Sequence, residues 1–598
     1  MPKKKVAVKY TSRDFISIKR DLVEYAKRYY PETYRDFNEA SFGSLMLDTV
    51  AYVGDMLSFY LDYQSNESFL STAIEYDNVI KLSKQLGYRP RFNPSSFGVA
   101  TFYLMIPAAA VGTEPDTTYL PALEKGSEFV TESGQGFILN EDIRFAEITR
   151  DEFAAGLIDP QLNTPTHYVV KSTGRVISGA LRNASITVGV FEKFKKVRVP
   201  GQNIAEILSV VDSDGNDYYE VEYLSQDVIY KPIKNRKTGA TEPSAVMTAV
   251  PVPRRFIVDQ DTQGAYLQFG FGSDSQLVTK SVADPSQIVL EVYGKDYFAD
   301  KTIDPNNLLA TDKFGVGPSD TILTITYRAN TVNNMNVAPG GLNTVANPIL
   351  KFDNVLSLST NKVTSVINSL EVNNDDSIVG SITYPSSEEL RQRAISTFAT
   401  QNRAVTKQDY ISMFYNMPPE YGSIKRCNIV QDKDSFKRNL NIYVVSESDT
   451  GTLTESNITI KENLKTWLNN VKMINDTIDI LDARIVNLGI EFVAIADTDV
   501  NQYELLNDVY SALTNFFEIK PNLSQPFYIS DMYNVINDVP GIVDVVTVDV
   551  ARRSTAGYSQ VNFNIADYIT PDGRMIVFPE DFIWEIKNLK ADIKGTLK

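Results

Sequence analysis

The sequence predicts a multidomain α+β protein, with an N-terminal helical arm, a β-rich middle and small α+β domains at the C-terminal end. Three observations carry that expectation. Apolar residues recur at helical spacing through the first ninety positions, the period drops to two beyond Pro90, and helical and strand patterns alternate again after Tyr384. These shifts set expected boundaries: 1–95 for the arm, 96–350 for the middle, 351–385 for a connector, 386–486 for one α+β domain, and 487–598 for a second with a docked tail. A chain of 598 residues has room for about three to five domains.

The arm reads as three helices. Thr11, with Asp14 three residues on, is a capping-box pattern. Phe15, Ile18, Leu22, Tyr25 and Tyr29 then follow on one face, with Lys19, Arg20 and Lys27 left to water. A second helix, roughly Ser44 to Tyr63, is apolar nearly all round. Leu47, Val50, Leu57 and Leu61 make one face, and Met46, Val53, Phe59 and Tyr60 another. Such a helix has to be covered on more than one side. A third carries Ala73, Tyr76, Val79, Ile80 and Leu86 and stops at Gly87, a left-handed C-cap, with Pro90 beyond. Two readings of this arm stay open: a helical cap folded onto the rest of its own chain, or a docking bundle for other chains. The interface candidates are Leu47, Val50, Val53, Leu57, Tyr60 and Leu61.

Beyond Pro90, Val99, Thr101, Tyr103 and Met105 alternate with Ala100, Phe102, Leu104 and Ile106, a strand suited to burial on both faces. Ser185–Phe191, Ile207–Val211, Tyr218–Tyr223 and Ile322–Arg328 extend the pattern into a large irregular β region. Lys351 to Tyr384, with Asn373-Asn374-Asp375-Asp376 inside it, reads as the connector. Helices return at Ser386–Thr400, whose first turn holds Glu388 and Glu389 where acids suit the helix dipole, and at Thr406, with Asp409 as capping-box partner. Strands near Ile424–Val430, Leu440–Ser446 and Ile478–Val486 frame a helix around Ile458–Leu468. In the last unit a strand with Leu488, Ile490 and Phe492 precedes a helix striped by Leu505, Val509, Leu513 and Phe516. A short helix, Asp531–Asn537, and a strand, Val543–Val550, close it. The similar order of the two units hints at a duplication. Phe578, Phe582 and Trp584 keep the tail docked.

Composition narrows the function. The net charge of −17 argues against a nucleic-acid-binding body, yet residues 1–35 hold ten Lys/Arg against four Asp/Glu. Lys3, Lys4 and Lys5 alone give only weak, salt-sensitive affinity for DNA. A basic arm on an acidic body docks on its own body, on a second copy, or on an acidic partner. Neither a signal peptide nor a membrane-spanning segment is expected, since the longest uncharged stretch, Phe92 to Thr113, is broken by Pro94 and Pro107. One cysteine, Cys427, rules out an intrachain disulfide and suits assembly in a reducing cytoplasm.

Catalytic parts are missing. His167 is the only histidine, at the entry to a strand, and with Cys427 it makes too few ligands for a zinc site. Phe269-Gly270-Phe271-Gly272 lacks the Gly-Lys-Ser/Thr of a phosphate loop, and Gly315-Val316-Gly317-Pro318 opens no helix. Asp212-Ser213-Asp214-Gly215-Asn216-Asp217 has its Gly fourth and Tyr223 twelfth, so it reads as a hairpin turn and not a calcium loop. Glu388 and Glu389 are explained by their helix N-terminus. No enzyme activity, metal or cofactor is expected.

The run Tyr10–Ala73, above all Phe37-Asn38-Glu39-Ala40-Ser41 and Tyr52 to Asn66-Glu67, resembles the opening of baseplate wedge proteins of contractile-tailed phages. This is the baseplate J-like family, the kind that gene product six of the T-even phages represents. Phe269–Gly272, Asn336–Asn343, Arg403–Tyr410 and Tyr568–Lys587 fit it too. The resemblance implies a structural subunit of the virion tail baseplate, assembled in the host cytoplasm. Two copies would join another baseplate wedge protein, with neighbouring wedges, the hub or sheath-initiating proteins as further partners, and without nucleic acid or membrane. The N-terminal helices would enter a core bundle and the C-terminal domains would link copies. The ring's change of shape would help start sheath contraction. The connector shows a single Gly380 where a more glycine-rich join is expected. Two other readings stand beside this one. One is a receptor-binding or polysaccharide-degrading tail protein, against which the absence of long repeats argues. The other is a baseplate component of a cellular contractile injection system.

Overall fold

Helix α1 (Phe15–Tyr29) starts three residues later than the Thr11 pattern suggests, because Asp14 caps it directly. The Asp14 carboxylate accepts the Ser17 N–H at 2.9 Å, and Thr11 lies outside the described residues. The computed structural model describes residues 13–30, 32, 38, 41–90, 92–109, 114–147, 153–158, 164–234, 245–261, 264–272, 314–353, 358–432, 439–498 and 500–598. The chain divides into two compact units, Met1–Pro90 with Pro385–Phe398, and Arg91–Tyr384 with Ala399–Lys598.

In the first unit α2 (Phe42–Glu67) is capped by Ser41, whose hydroxyl accepts the Ser44 N–H. At about 1.5 Å per residue it is roughly 39 Å long. α1 runs antiparallel along it: Arg13 pairs with Asp62 at 2.6 Å, Ile18 packs on Gly54, and Lys19 pairs with Asp48 at 2.7 Å. α3 (Tyr76–Gln85) ends as its sequence predicts. Gly87 sits at φ 91°, and the N–H groups of Gly87 and Tyr88 return to the carbonyls of Lys84 and Ser83, each at 3.1 Å. The helix Ser387–Thr400 joins this unit through its residues up to Phe398. Arg391 donates to the carbonyls of Leu70 (2.6 Å) and Ala73 (2.7 Å), and the Tyr76 hydroxyl donates to that of Pro385 (3.2 Å).

The second unit holds the β-rich middle and the C-terminal α+β layers. One seven-stranded sheet runs Leu342–Asn347, Glu128–Thr131, Gly136–Leu139, Pro165–Ser178, Phe97–Pro107, Glu371–Asn373, with Phe153–Ile158 added beside Pro165–Ser178. Its spine is the antiparallel pair from Phe97↔Ile177 to Pro107↔His167. Ala100, Phe102, Leu104 and Ile106 are fully buried, while on the other face Thr101 is buried and Val99, Tyr103 and Met105 are half-buried. A second seven-stranded sheet has the order Ala180–Val188, Thr321–Ala329, Ile204–Val211, Asp217–Glu220, Arg255–Asp261, Gly264–Phe269, Lys196–Arg198. Gly270 follows it where two backbones touch: a Cβ there would sit 2.1 Å from the Gly315 carbonyl oxygen.

Within 351–385 the chain forms the helix Thr360–Asn368 and the strand Glu371–Asn373, which pairs with Thr101–Tyr103. The fully buried Asn374 then accepts the Leu342 N–H and donates to the carbonyls of Ala338 and Asp376. Gly380, at φ 134°, lies so close to Ser95 that a Cβ would approach its carbonyl oxygen to 2.5 Å. Asn336, 1% exposed, ties the region together. It accepts from the Ser96 hydroxyl and the Ser381 N–H, and donates to the carbonyls of Ser381 and Glu447.

The helix Lys407–Tyr415 has the expected capping box between Thr406 and Asp409. The expected single strand Ile478–Val486 is two strands, Thr477–Asp482 and Arg484–Ala496. The Ala483 N–H still bonds to Val444, whereas that of Arg484 bonds to Asp581, so the chain changes sheets across one residue. The first of these sheets centres on Asn439–Glu447, the second on Arg484–Ala496, and each central strand has an antiparallel neighbour on one side and a parallel one on the other. Leu505, Val509 and Leu513 of the helix Gln502–Phe516 pack on Leu488, Ile490, Phe492 and Ala494. Phe516, expected in that stripe, is exposed. The helix ends there, and Phe517 turns in to stand edge-on to Trp584. Phe578, Phe582 and Trp584 all join this core.

Candidate assembly interface

The two faces of α2 are used in the reverse of the ordinary way. In an amphipathic helical hairpin the apolar stripes meet and the charged ones face water. Here α1 lies along a polar, small-residue seam of α2: Ser44, Asp48, Ala51, Asp55, Ser58 and Asp62, spaced four and three apart. Small residues let the helices approach closely, and Arg13 and Lys19 meet the carboxylates at either end. Of the 26 residues of α2 only Ser44, Ala51 and Glu67 are buried. α1 has no buried residue at all.

Two adjacent apolar seams at heptad spacing run along the rest of α2, one opposite the polar seam and one on its flank. Met46, Val50, Val53, Leu57 and Tyr60 form one; Phe42, Leu45, Tyr52, Met56, Phe59 and Tyr63 form the other, one position earlier in each repeat. All are exposed, Val50 to 52% and Leu57 to 58%. A repeat of seven keeps each seam straight only if the helices supercoil left-handed. Of the interface candidates read from the sequence, Val50, Val53, Leu57 and Tyr60 lie on the first seam. Leu61, the most exposed of them, and the half-buried Leu47 flank it with Gly54 between them. The interface candidates leave out the second seam, of which only Phe59 is among the face residues read from the sequence, although its four-three spacing is legible there.

Glu67 ties α2 to α3, beside the Tyr63 hydroxyl, which donates to Glu75 at 2.8 Å. The Glu67 carboxylate accepts the N–H groups of Ile74 and Glu75 and the Asn78 side-chain amide. These bonds, the Asn78 one foremost, hold the carboxyl below the usual range. The reach of Arg391 to Leu70 and Ala73, more than three hundred positions away in sequence, has no local signal.

The residues weighed for catalysis go elsewhere. His167 sits on the strand Pro165–Ser178 with its Nδ1 3.2 Å from the Thr166 hydroxyl. Cys427 is buried on the strand Arg426–Gln431. The Asp212 carboxylate is taken up by its own turn, accepting from the Asp214 and Asn216 N–H groups, with Gly215 at φ 81°. Glu388 and Glu389 pair with Arg391 and Arg393 on their own helix. Among the described residues no group of three or more His, Cys, Asp or Glu is placed to hold a metal ion, and no helix is long and apolar enough to cross a membrane.

The chain is therefore a multidomain α+β protein whose helical arm exposes the apolar seams of α2. That arm, residues 14–85, matches the family model described as bacteriophage baseplate protein, N-terminal domain. No curated protein matches the sequence. Among solved structures, a chain from the cryo-EM structure of the anti-feeding prophage baseplate, 6-fold symmetrised, aligns over 96% of this chain and 99% of its own. The identity is 9% and the TM-score 0.25. A chain of the type VI secretion system TssK-TssF-TssG baseplate subcomplex aligns over 74% and 96%, at 9% identity and a TM-score of 0.24. Both scores fall short of a shared fold.

Proposed function

We propose that this protein is a structural subunit of the wedge of a contractile-tail baseplate, acting through contacts and without catalysis. The observation that carries this reading is the arm, similar in sequence to the N-terminal domain of phage baseplate proteins and presenting two apolar seams to solvent. Each large side chain buried on assembly contributes up to roughly 1.5–3 kcal/mol, so one seam is enough for a lasting interface. A second copy of this chain and another wedge protein are the partners of the seams, with Leu47, Val50, Val53, Leu57, Tyr60 and Leu61 at the contact. Neighbouring wedges, the hub or sheath-initiating proteins contact the body. The wedges close a ring around the tail hub of the virion, and the ring passes on the shape change that starts sheath contraction. That change is a shift between two packings of rigid parts, for which the hydrogen-bonded second unit is suited.

The test is the solution mass of the intact chain by light scattering, beside a Val53→Ser/Leu57→Ser variant. A dimer or larger species that the variant reduces to monomer, with an unchanged circular dichroism spectrum, supports the reading. A monomer at every concentration, alone and with co-expressed neighbours from its own genome, overturns it. Point variants are preferable to deleting the arm, since Arg391 would lose the carbonyls it binds.

A further inference from the structure

The strand Ile542–Arg552 forms an outer edge of its sheet: it pairs with Arg484–Ala496 on one side and with no strand on the other among the described residues. Such an edge is a template for another strand. Side chains occupy part of it. The Val545 N–H turns to the Asp544 carboxylate at 2.8 Å, and the Val548 N–H to the Tyr533 hydroxyl at 3.1 Å. Val543 and Val546 stand exposed along it, 65% and 48%, on either side of Asp544, with Asp549 three residues beyond Val546.

The surroundings are acidic. From 485 to 553 the sequence holds ten Asp/Glu against Lys520, Arg552 at the far end of the edge strand, and Arg553, which pairs with Glu491. That lysine is committed to the buried Glu585 at 2.7 Å. The helix Ile529–Asn537, which packs against the edge strand, brings Asp531 and no cation. Strands at such an edge admit a basic partner and reject an acidic one.

This chain contains a segment of that chemistry. Its first twelve residues hold four lysines and no acid, and Lys5-Val6-Ala7-Val8-Lys9-Tyr10 alternates with period two, Val6, Val8 and Tyr10 against Lys5 and Lys9. We propose that Lys3–Tyr10 of a second copy adds as a strand to the edge Ile542–Arg552, its lysines meeting Asp544 and Asp549. Main-chain bonds would give the affinity and the charges the choice of partner and register. The contact is head to tail, the kind that closes rings or propagates. It is independent of the α2 seams, so two separate surfaces would join neighbours.

The test uses full-length chains. Val8→Cys on one and Val546→Cys on another are mixed and treated with a short bis-maleimide, and Cys427 stays buried. A cross-linked two-chain species supports the proposal. Asp544→Lys/Asp549→Lys in the second chain should lower its yield at least about tenfold. Replacing Lys3, Lys4, Lys5 and Lys9 by Glu in the first chain should do the same, and combining the two sets should restore the yield. That restoration also shows that neither set acts by unfolding. No cross-link, a cross-link indifferent to both sets, or one that forms only within a chain carrying both cysteines overturns the proposal. Val53→Ser/Leu57→Ser, which tests the arm, should leave the cross-link in place.

Discussion

Leu57→Ala separates a face kept for partners from a face belonging to the fold. Leu57 lies in the middle of the first seam and is 58% exposed, with Val53 and Tyr60 next to it at 50% and 57%. Completing the burial of such a side chain is worth about 1–2 kcal/mol of the roughly 1.5–3 available to it. Truncating it should therefore weaken association by about 5- to 30-fold. The helix itself should lose little, because alanine is a slightly better helix former than leucine. Ile80→Ala is the control. Ile80 is 1% exposed, and its truncation should cost about 2–5 kcal/mol of stability in the first unit. Sedimentation equilibrium of the full chain measures the first effect, and amide hydrogen exchange in α2 and α3 the second. If Leu57→Ala loosens α2 as Ile80→Ala does and leaves association unchanged, the seam belongs to the chain's own core.

Three further outcomes follow from the packing. Glu67→Ala should free the turn between α2 and α3, seen as faster exchange of the Ile74 and Glu75 amides with the second unit unaffected. Because the folded carboxyl is held below its unfolded value, its contribution is complete above the unfolded pKa of about 4.3. It is lost as the pH falls through the lower folded value, so the wild-type turn should loosen in acid while Glu67→Ala shows no such step. Asn336→Ala takes the amide donor away from the buried carbonyls of Ser381 and Glu447, while the Ser381 N–H keeps its bond to the Ser96 hydroxyl. At about 1–3 kcal/mol for each such group, it should lower the melting temperature of the second unit markedly. Gly270→Ala drives a Cβ into the backbone of Phe314 and Gly315 and should cost about 1–3 kcal/mol or more, read as loss of soluble protein, while Gly189→Ala, with open space around it and no positive φ, should not.

What the sequence made legible and what it hid divide along the range of the interactions. α3 with its Gly87 cap, the Thr406 box and the alternation of Phe97–Pro107 depend on neighbours within a few positions, and pattern alone finds them. The sheet change at Ala483 hid inside what reads as one strand, because both halves alternate in the same way and only their partners differ. The long reaches of Arg391 and Asn336 left no trace, since a polar residue without local periodicity looks like a loop. On α2 the apolar character was plain, but its direction was not. Sequence shows a helix needing cover on several sides; only the placement of α1 on the Asp48–Asp62 seam shows which side the chain covers itself. A helix that satisfies its polar side internally and leaves both apolar seams in water holds hydrophobic area in reserve. Contiguous exposed apolar area of this kind marks an interaction surface.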